Sequence, residues 1–143
     1  FGDPASTSSC LIPKGELLGA GLTPGSDYTF VNVGSHDAVA LNVQSGSADA
    51  GGMSESIYHS LVKQGNIDPK KVVIIHTSPA FPQYPWVWHN SLDAQLKEKI
   101  SQAFYELKDP AILKALHAEG FSAIEDGDYE VIRSLQKKLD KVR

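Results

Sequence analysis

Three prolines fall within seven residues, at Pro79, Pro82 and Pro85. Proline lacks a backbone donor and fixes φ, so neither a helix interior nor a central strand can cross this segment. The chain cannot be one unbroken array of elements. Residues 79–85 read as a hinge or domain crossing, and the two sides of it differ in character.

Before the break, short apolar runs alternate with helical patterns, which predicts an α/β layer structure. Ser6-Thr7-Ser8-Ser9 stands before Leu11-Ile12 and reads as a helix start, with Pro13 near the first turn and an end by Gly19 or Gly21. Thr29 to Val33 alternates and is rich in β-formers, so it is expected to be a strand. A helix carrying Val39, Ala40 and Val43 follows and stops at Gly46. Ala48 to Gly52 is a strand or loop of small residues. Ser54 opens another helix, with Ile57, Tyr58, Leu61 and Val62 on one face and Gly65 at its end. Val72-Val73-Ile74-Ile75 has the continuous apolarity of a strand buried on both faces.

After the break, Trp86 to His89 reads as a strand and the rest as helices. Leu96, Ile100, Ala103, Phe104 and Leu107 form an amphipathic stripe. Asp109-Pro110 is an N-cap followed by proline at the first helical position, and that helix is expected to run to Gly120. Tyr129, Ile132, Leu135 and Leu139 mark the last helix. Its Lys137, Lys138, Lys141 and Arg143 complement the negative end of the dipole.

Composition narrows the chemistry. The length of 143 residues fits one ordinary domain, and no apolar run approaches the ~20 residues of a membrane helix. A net charge of −4 argues against a broad nucleic-acid surface. The single cysteine, Cys10, excludes an internal disulfide framework and a cysteine-rich zinc site. His36, His59, His76, His89 and His117 lack metal-ligand spacing, so neither a metal nor another cofactor is expected.

Several segments could hold a small anion. Hydroxyls and free N–H groups at a helix start can donate to one, so Ser6, Thr7 and Ser8 are candidates. Taken alone, the same residues are more often an ordinary N-cap, since Ser and Thr caps are the norm. Gly34-Ser35-His36-Asp37 is a second strand-to-helix turn, and His36 could donate to a bound oxyanion or merely face solvent. Asp49 and Glu55 bracket Gly51-Gly52. Glu55 could accept from a ligand amine or hydroxyl, or simply supply favourable charge in a first helical turn. Lys and Arg are absent from residues 1–13, 26–62 and 72–96, so an anion here would be held by neutral dipoles. Tyr84, Trp86 and Trp88 could line an apolar wall or pack a core. A Ser/His hydrolase using Ser6 or Ser8 with His36 is conceivable, but no Gly-x-Ser-x-Gly elbow is present.

The ordered set resembles one family. Asp3-Pro4-Ala5-Ser6-Thr7-Ser8 is similar to the Asp-Pro-x-Ser-Thr-Ser motif of phosphonate-type substrate-binding proteins of ABC transporters. Gly34-Ser35-His36-Asp37-Ala38 resembles their Gly-x-His-x-Ala segment, and Gly46 to Gly51 their Gly-x-Ala-Asp-x-Gly turn. Ser78 to Trp86 resembles their return crossing, and Gly120 to Ile132 their ending. The resemblance implies a type II periplasmic-binding-protein fold, with one complete lobe plus the C-terminal part of the other. Residues 1–78 would be the second lobe and 79–85 the hinge crossing. Residues 86–143 would be the returning strand and C-terminal helices of the first lobe. The N-terminal part of that first lobe is expected to lie outside the chain.

The resemblance assigns Ser6, Thr7, Ser8 and His36 to phosphonate oxygens and Glu55 to a ligand amino group. A second family carboxylate falls at Tyr84, a departure that favours phosphite or methylphosphonate over aminoalkylphosphonates. The partners implied are a membrane permease and either the missing first-lobe segment or a second copy of the chain. The location implied is periplasmic or otherwise extracytoplasmic. A sensor module of the same fold, reporting to a membrane receptor, is the alternative.

Overall fold

The computed structural model describes residues 1–116 and 118–142. His117 and Arg143, which enter the sequence reading, lie outside the described residues. The chain divides into two compact units, one of Phe1–Phe81 with Glu130–Arg143 and the other of Pro82–Tyr129.

The first unit opens on a π-helical turn, Thr7–Leu11, continuing directly into α1, Ile12–Gly19. Leu11 N–H donates to Ser6 O and Ile12 N–H to Thr7 O. An α-helical residue 13 would donate to Ser9 O, but Pro13 has no N–H. That carbonyl accepts instead from Gly2 N–H at 2.9 Å, which docks the entering chain against the turn.

The next helices are α2, His36–Ser45, and α3, Glu55–Lys63. Ser35 Oγ caps α2 by accepting from Ala38 N–H at 3.1 Å, and Gly46 ends it at φ 75°, a left-handed conformation that suits glycine. Ala40, Tyr58, Leu61, Ile67 and Val72 form a buried cluster, with Val43, Met53, Ile57 and Val62 packed around it. Tyr58 Oη donates to Val72 O at 2.6 Å inside this cluster, so its one polar atom is satisfied.

The final helix, α6 (Glu130–Asp140), belongs to this first unit, although the sequence reading groups residues 86–143 together. The contact responsible is specific. Gly15 of α1 is buried, and a Cβ there would overlap the Leu135 side chain. A glycine in α1 thus opens a notch for a leucine of α6.

The second unit carries α4 (Ala94–Tyr105) and α5 (Pro110–Ala115), followed by a 3-10 turn, Asp126–Tyr129. Asp93 caps α4 and Asp109 caps α5, each accepting from two backbone N–H groups. The α5 helix ends at Ala115, short of Gly120. Trp86, Phe104 and Phe121 form an aromatic trio with centroids 5.0 to 6.3 Å apart. Tyr129 Oη donates to Gln83 O at 2.8 Å, tying the 3-10 turn to the proline-rich segment.

The strand expectations need correction. Thr29 to Val33, Val72 to Ile75 and Trp86 to His89 carry no strand ladder among the described residues, and the isolated bridge there joins Pro24 to Tyr28. The α/β layer expectation thus has its helices without its sheet. Val72 is buried, but Val73, Ile74 and Ile75 are 61%, 45% and 82% exposed, so this run is not covered on both faces. Apolarity makes a segment suited to a sheet interior, while strand structure requires a hydrogen-bonded neighbour. Such a pattern starts at Phe1: Phe1 N donates to Val31 O and Val33 N–H to Phe1 O, both at 2.9 Å, the pairing of a parallel bridge opposite Asn32.

Candidate functional site

Three segments of the first unit converge. The first is the Ser6–Ser8 turn. Ser6 is the N-cap of the π-helical turn, with φ −75° and ψ 125°. Its Oγ accepts from Ser9 N–H at 3.2 Å, leaving its own O–H available to donate. Asp3 shapes the approach, accepting from Ala5 N–H at 2.7 Å through Oδ1 and from Ser6 N–H at 2.9 Å through its carbonyl. Ser6, Thr7 and Ser8 are half-buried, and Thr7 and Ser8 lie in a first turn, where helical N–H groups lack intrahelical acceptors. π-Helical turns of this kind concentrate at functional positions.

The second segment is Gly34–His36. Gly2 lies between it and the first: a Cβ on Gly2 would overlap Ser9 Oγ and stand 3.7 Å from Gly34 O. No side chain larger than hydrogen fits there without a shift. Gly34 itself is at φ 89°.

The third segment is Gly51 to Glu55. A Cβ on Gly51 would overlap Val39 of α2, and one on Gly52 would overlap the ring of Pro13 in α1. The glycine pair therefore seats this segment against both helices. Ser54 N–H donates to His36 Nδ1 at 3.1 Å, joining the third segment to the second. The Ser54 side chain makes no capping bond; its Oγ pairs with Ser56 Oγ at 2.9 Å. Burial pushes the His36 pKa down, and the neighbouring Asp37 carboxylate opposes this.

Glu55 follows Ser54 and is exposed, its Oε1 3.4 Å from His59 Nε2. Tyr84 belongs to the other unit and is 74% exposed. Lys14, the basic residue nearest in sequence to the hydroxyl turn, has its ammonium 3.9 Å from the Phe30 ring centroid and 5.1 Å from that of Phe1. A cavity of about 330 Å³ is lined by Cys10, Lys14, Phe30 and Leu139 among others, but by none of Ser6, Thr7, Ser8, His36 or Glu55.

Sequence reasoning did not find the pairing of Ser54 with His36, nor the role of Gly2. A backbone N–H carries no side-chain signature. The only available hint was that Ser54 opens a helix, where N–H groups stay free to bond elsewhere.

The arrangement is thus a set of hydroxyls, first-turn N–H groups and one imidazole on adjoining segments, a chemistry suited to receiving an anion by neutral donors. A family profile of periplasmic substrate-binding proteins of phosphonate ABC transporters matches residues 1–129, and the chain belongs to that family. It is a family of transport proteins that bind substrate, not of enzymes.

Among particular relatives, the chain is 27% identical to a probable ABC transporter phosphite-binding protein of Prochlorococcus marinus, over 100% of this chain and 52% of that protein. It is 28% identical to a phosphonates-binding periplasmic protein of Escherichia coli, over 94% of this chain and 41% of the relative. A phosphate-import protein of Mycolicibacterium smegmatis is 23% identical over 85% of this chain and 39% of its own length. The chain spans about half the length of the curated relatives it matches, or less. Among the described residues no helix is long and apolar enough to cross a membrane.

Proposed function

We propose that the chain is the oxyanion-binding portion of an ABC importer's substrate-binding protein, acting outside the cytoplasm on a phosphorus oxyanion. The observation that carries this reading is the joining of the His36 and Ser54–Glu55 segments beside the hydroxyl turn, in a chain of this family. Thr7 and Ser8 donate to ligand oxygens through hydroxyl and N–H groups, Ser6 through its hydroxyl, and His36 through an imidazole N–H. Residues 79–85 serve as the hinge crossing, and closure over the ligand signals the bound state to a membrane permease. A first-lobe segment, or a second copy of the chain, completes the site.

The ligand class follows from charge. Lys and Arg are absent from residues 26–62, and by the family resemblance Tyr84 falls where aminophosphonate binders carry an acid. That favours phosphite or methylphosphonate over 2-aminoethylphosphonate, whose ammonium would have Glu55 as its one family-matched carboxylate. Calorimetry on the full-length protein tests this. Phosphite or methylphosphonate is expected to bind at least tenfold more tightly than 2-aminoethylphosphonate, and the reverse order would overturn the ligand assignment.

A further inference from the structure

We propose that Ser54 is a positioning residue whose backbone N–H locks His36 as the Nε2-protonated neutral tautomer, so that His36 meets an oxyanion only as a donor. The binding part of this proposal rests on the oxyanion reading above; the tautomer part stands on geometry alone. Ser54 N lies 3.1 Å from His36 Nδ1, and a backbone N–H can only donate, so Nδ1 must be the unprotonated acceptor. The ring proton is then on Nε2, the nitrogen left to face a ligand.

The imidazolium form is incompatible with this contact. With a proton on Nδ1, two N–H donors would point at one another across 3.1 Å. The charge acting on the ring is that of Asp37, in the first turn of α2; Glu55, in the first turn of α3, is turned to His59 Nε2 at 3.4 Å. Asp37 favours the cation, yet burial outweighs it and holds the imidazole below its usual range. Oxyanion capture at this residue therefore takes up no proton. The same bond ties the starts of α2 and α3 together, so orienting the ring and seating the Glu55 turn are one event.

Ser54 offers a clean substitution. Its φ of −67° and ψ of 133° lie in the region proline occupies, so Ser54→Pro removes the N–H while keeping the residue's own conformation. Ser54→Ala keeps the N–H and removes only the hydroxyl, which bonds Ser56. Nitrogen-15 NMR of the His36 ring at pH 8 reads the tautomer without any ligand. The wild type and Ser54→Ala are expected to carry the proton on Nε2, and Ser54→Pro to populate both tautomers. Phosphite affinity of the full-length protein is expected to fall about two- to tenfold in Ser54→Pro, the scale of one hydrogen bond, and to hold in Ser54→Ala.

An Nδ1-protonated wild-type ring overturns the proposal, even if Ser54→Pro fails to fold. So does a Ser54→Pro ring that keeps the wild-type tautomer, or a phosphite affinity that Ser54→Pro leaves unchanged. A locked tautomer in a wild-type protein that does not bind phosphite overturns the oxyanion reading instead, and with it the binding role of the lock.

Discussion

Leu135 of the C-terminal helix fills the space in which Gly15 has no side chain. Helix α6 joins the first unit through this notch, so a residue that is poor for helix stability is good for packing. Gly15→Val is expected to destabilise the chain by about 1–3 kcal/mol through overpacking. Combining it with Leu135→Ala should recover part of that loss, because the two substitutions share one volume. A double-mutant cycle by urea denaturation is expected to show a favourable coupling of roughly 1 kcal/mol. Additive effects would mean that the two residues do not share the notch.

Tyr58→Phe isolates one buried hydrogen bond. The ring packs in the cluster with Ala40, Leu61 and Ile67, while its hydroxyl donates to Val72 O at 2.6 Å. Phenylalanine keeps the ring and strands a carbonyl. The expected cost is about 1–2 kcal/mol, read as a lower urea midpoint with unchanged slope. Its structural readout is the segment that begins at Val72, whose amide exchange should quicken more than that of α2.

The pH dependence of stability follows from His36. Its folded pKa lies below the unfolded value because burial disfavours the imidazolium. Below the unfolded imidazole pKa the unfolded chain binds a proton that the native state declines. Stability therefore falls as pH drops from the unfolded value to the lowered folded one, and flattens below it. His36→Gln removes this titration. The difference between wild-type and His36→Gln stabilities should thus narrow as pH falls from 8 to 5, measured by chemical denaturation at each pH. A difference that widens on acidification would contradict the neutral, half-buried imidazole.

Helix positions were legible in the sequence because their determinants are local. Ser35, Asp93 and Asp109 cap helices through contacts two or three residues away, and Gly46 ends α2 by its own φ. Strands were not legible in the same way. Val72 to Ile75 has the composition of a buried strand, but the ladder that would make it one lies outside the segment. For the candidate site, residue types were readable and their joining was not. Ser6, Thr7, Ser8 and His36 stand out by chemistry, whereas the Ser54 N–H and the Gly2 approach are backbone features set by tertiary contact.

Pro13 supplies the last prediction, since one missing proton there organises the hydroxyl turn. Ser9 O accepts from Gly2 N–H because residue 13 has no N–H to offer it, and the Pro13 ring occupies the space beside Gly52. Pro13→Ala creates an intrahelical donor aimed at Ser9 O and removes that ring contact. The new donor competes with Gly2 for one carbonyl, although two lone pairs allow partial sharing. Helix propensity favours alanine, so global stability should hold or rise slightly while the Asp3–Ser8 approach loosens. Amide exchange at Gly2 is expected to quicken about tenfold, equivalent to ~1.4 kcal/mol of local protection, with α3 amides unaffected. Unchanged exchange at Gly2 would show that its docking depends on the fit against Ser9 and Gly34 rather than on the carbonyl that Pro13 leaves free.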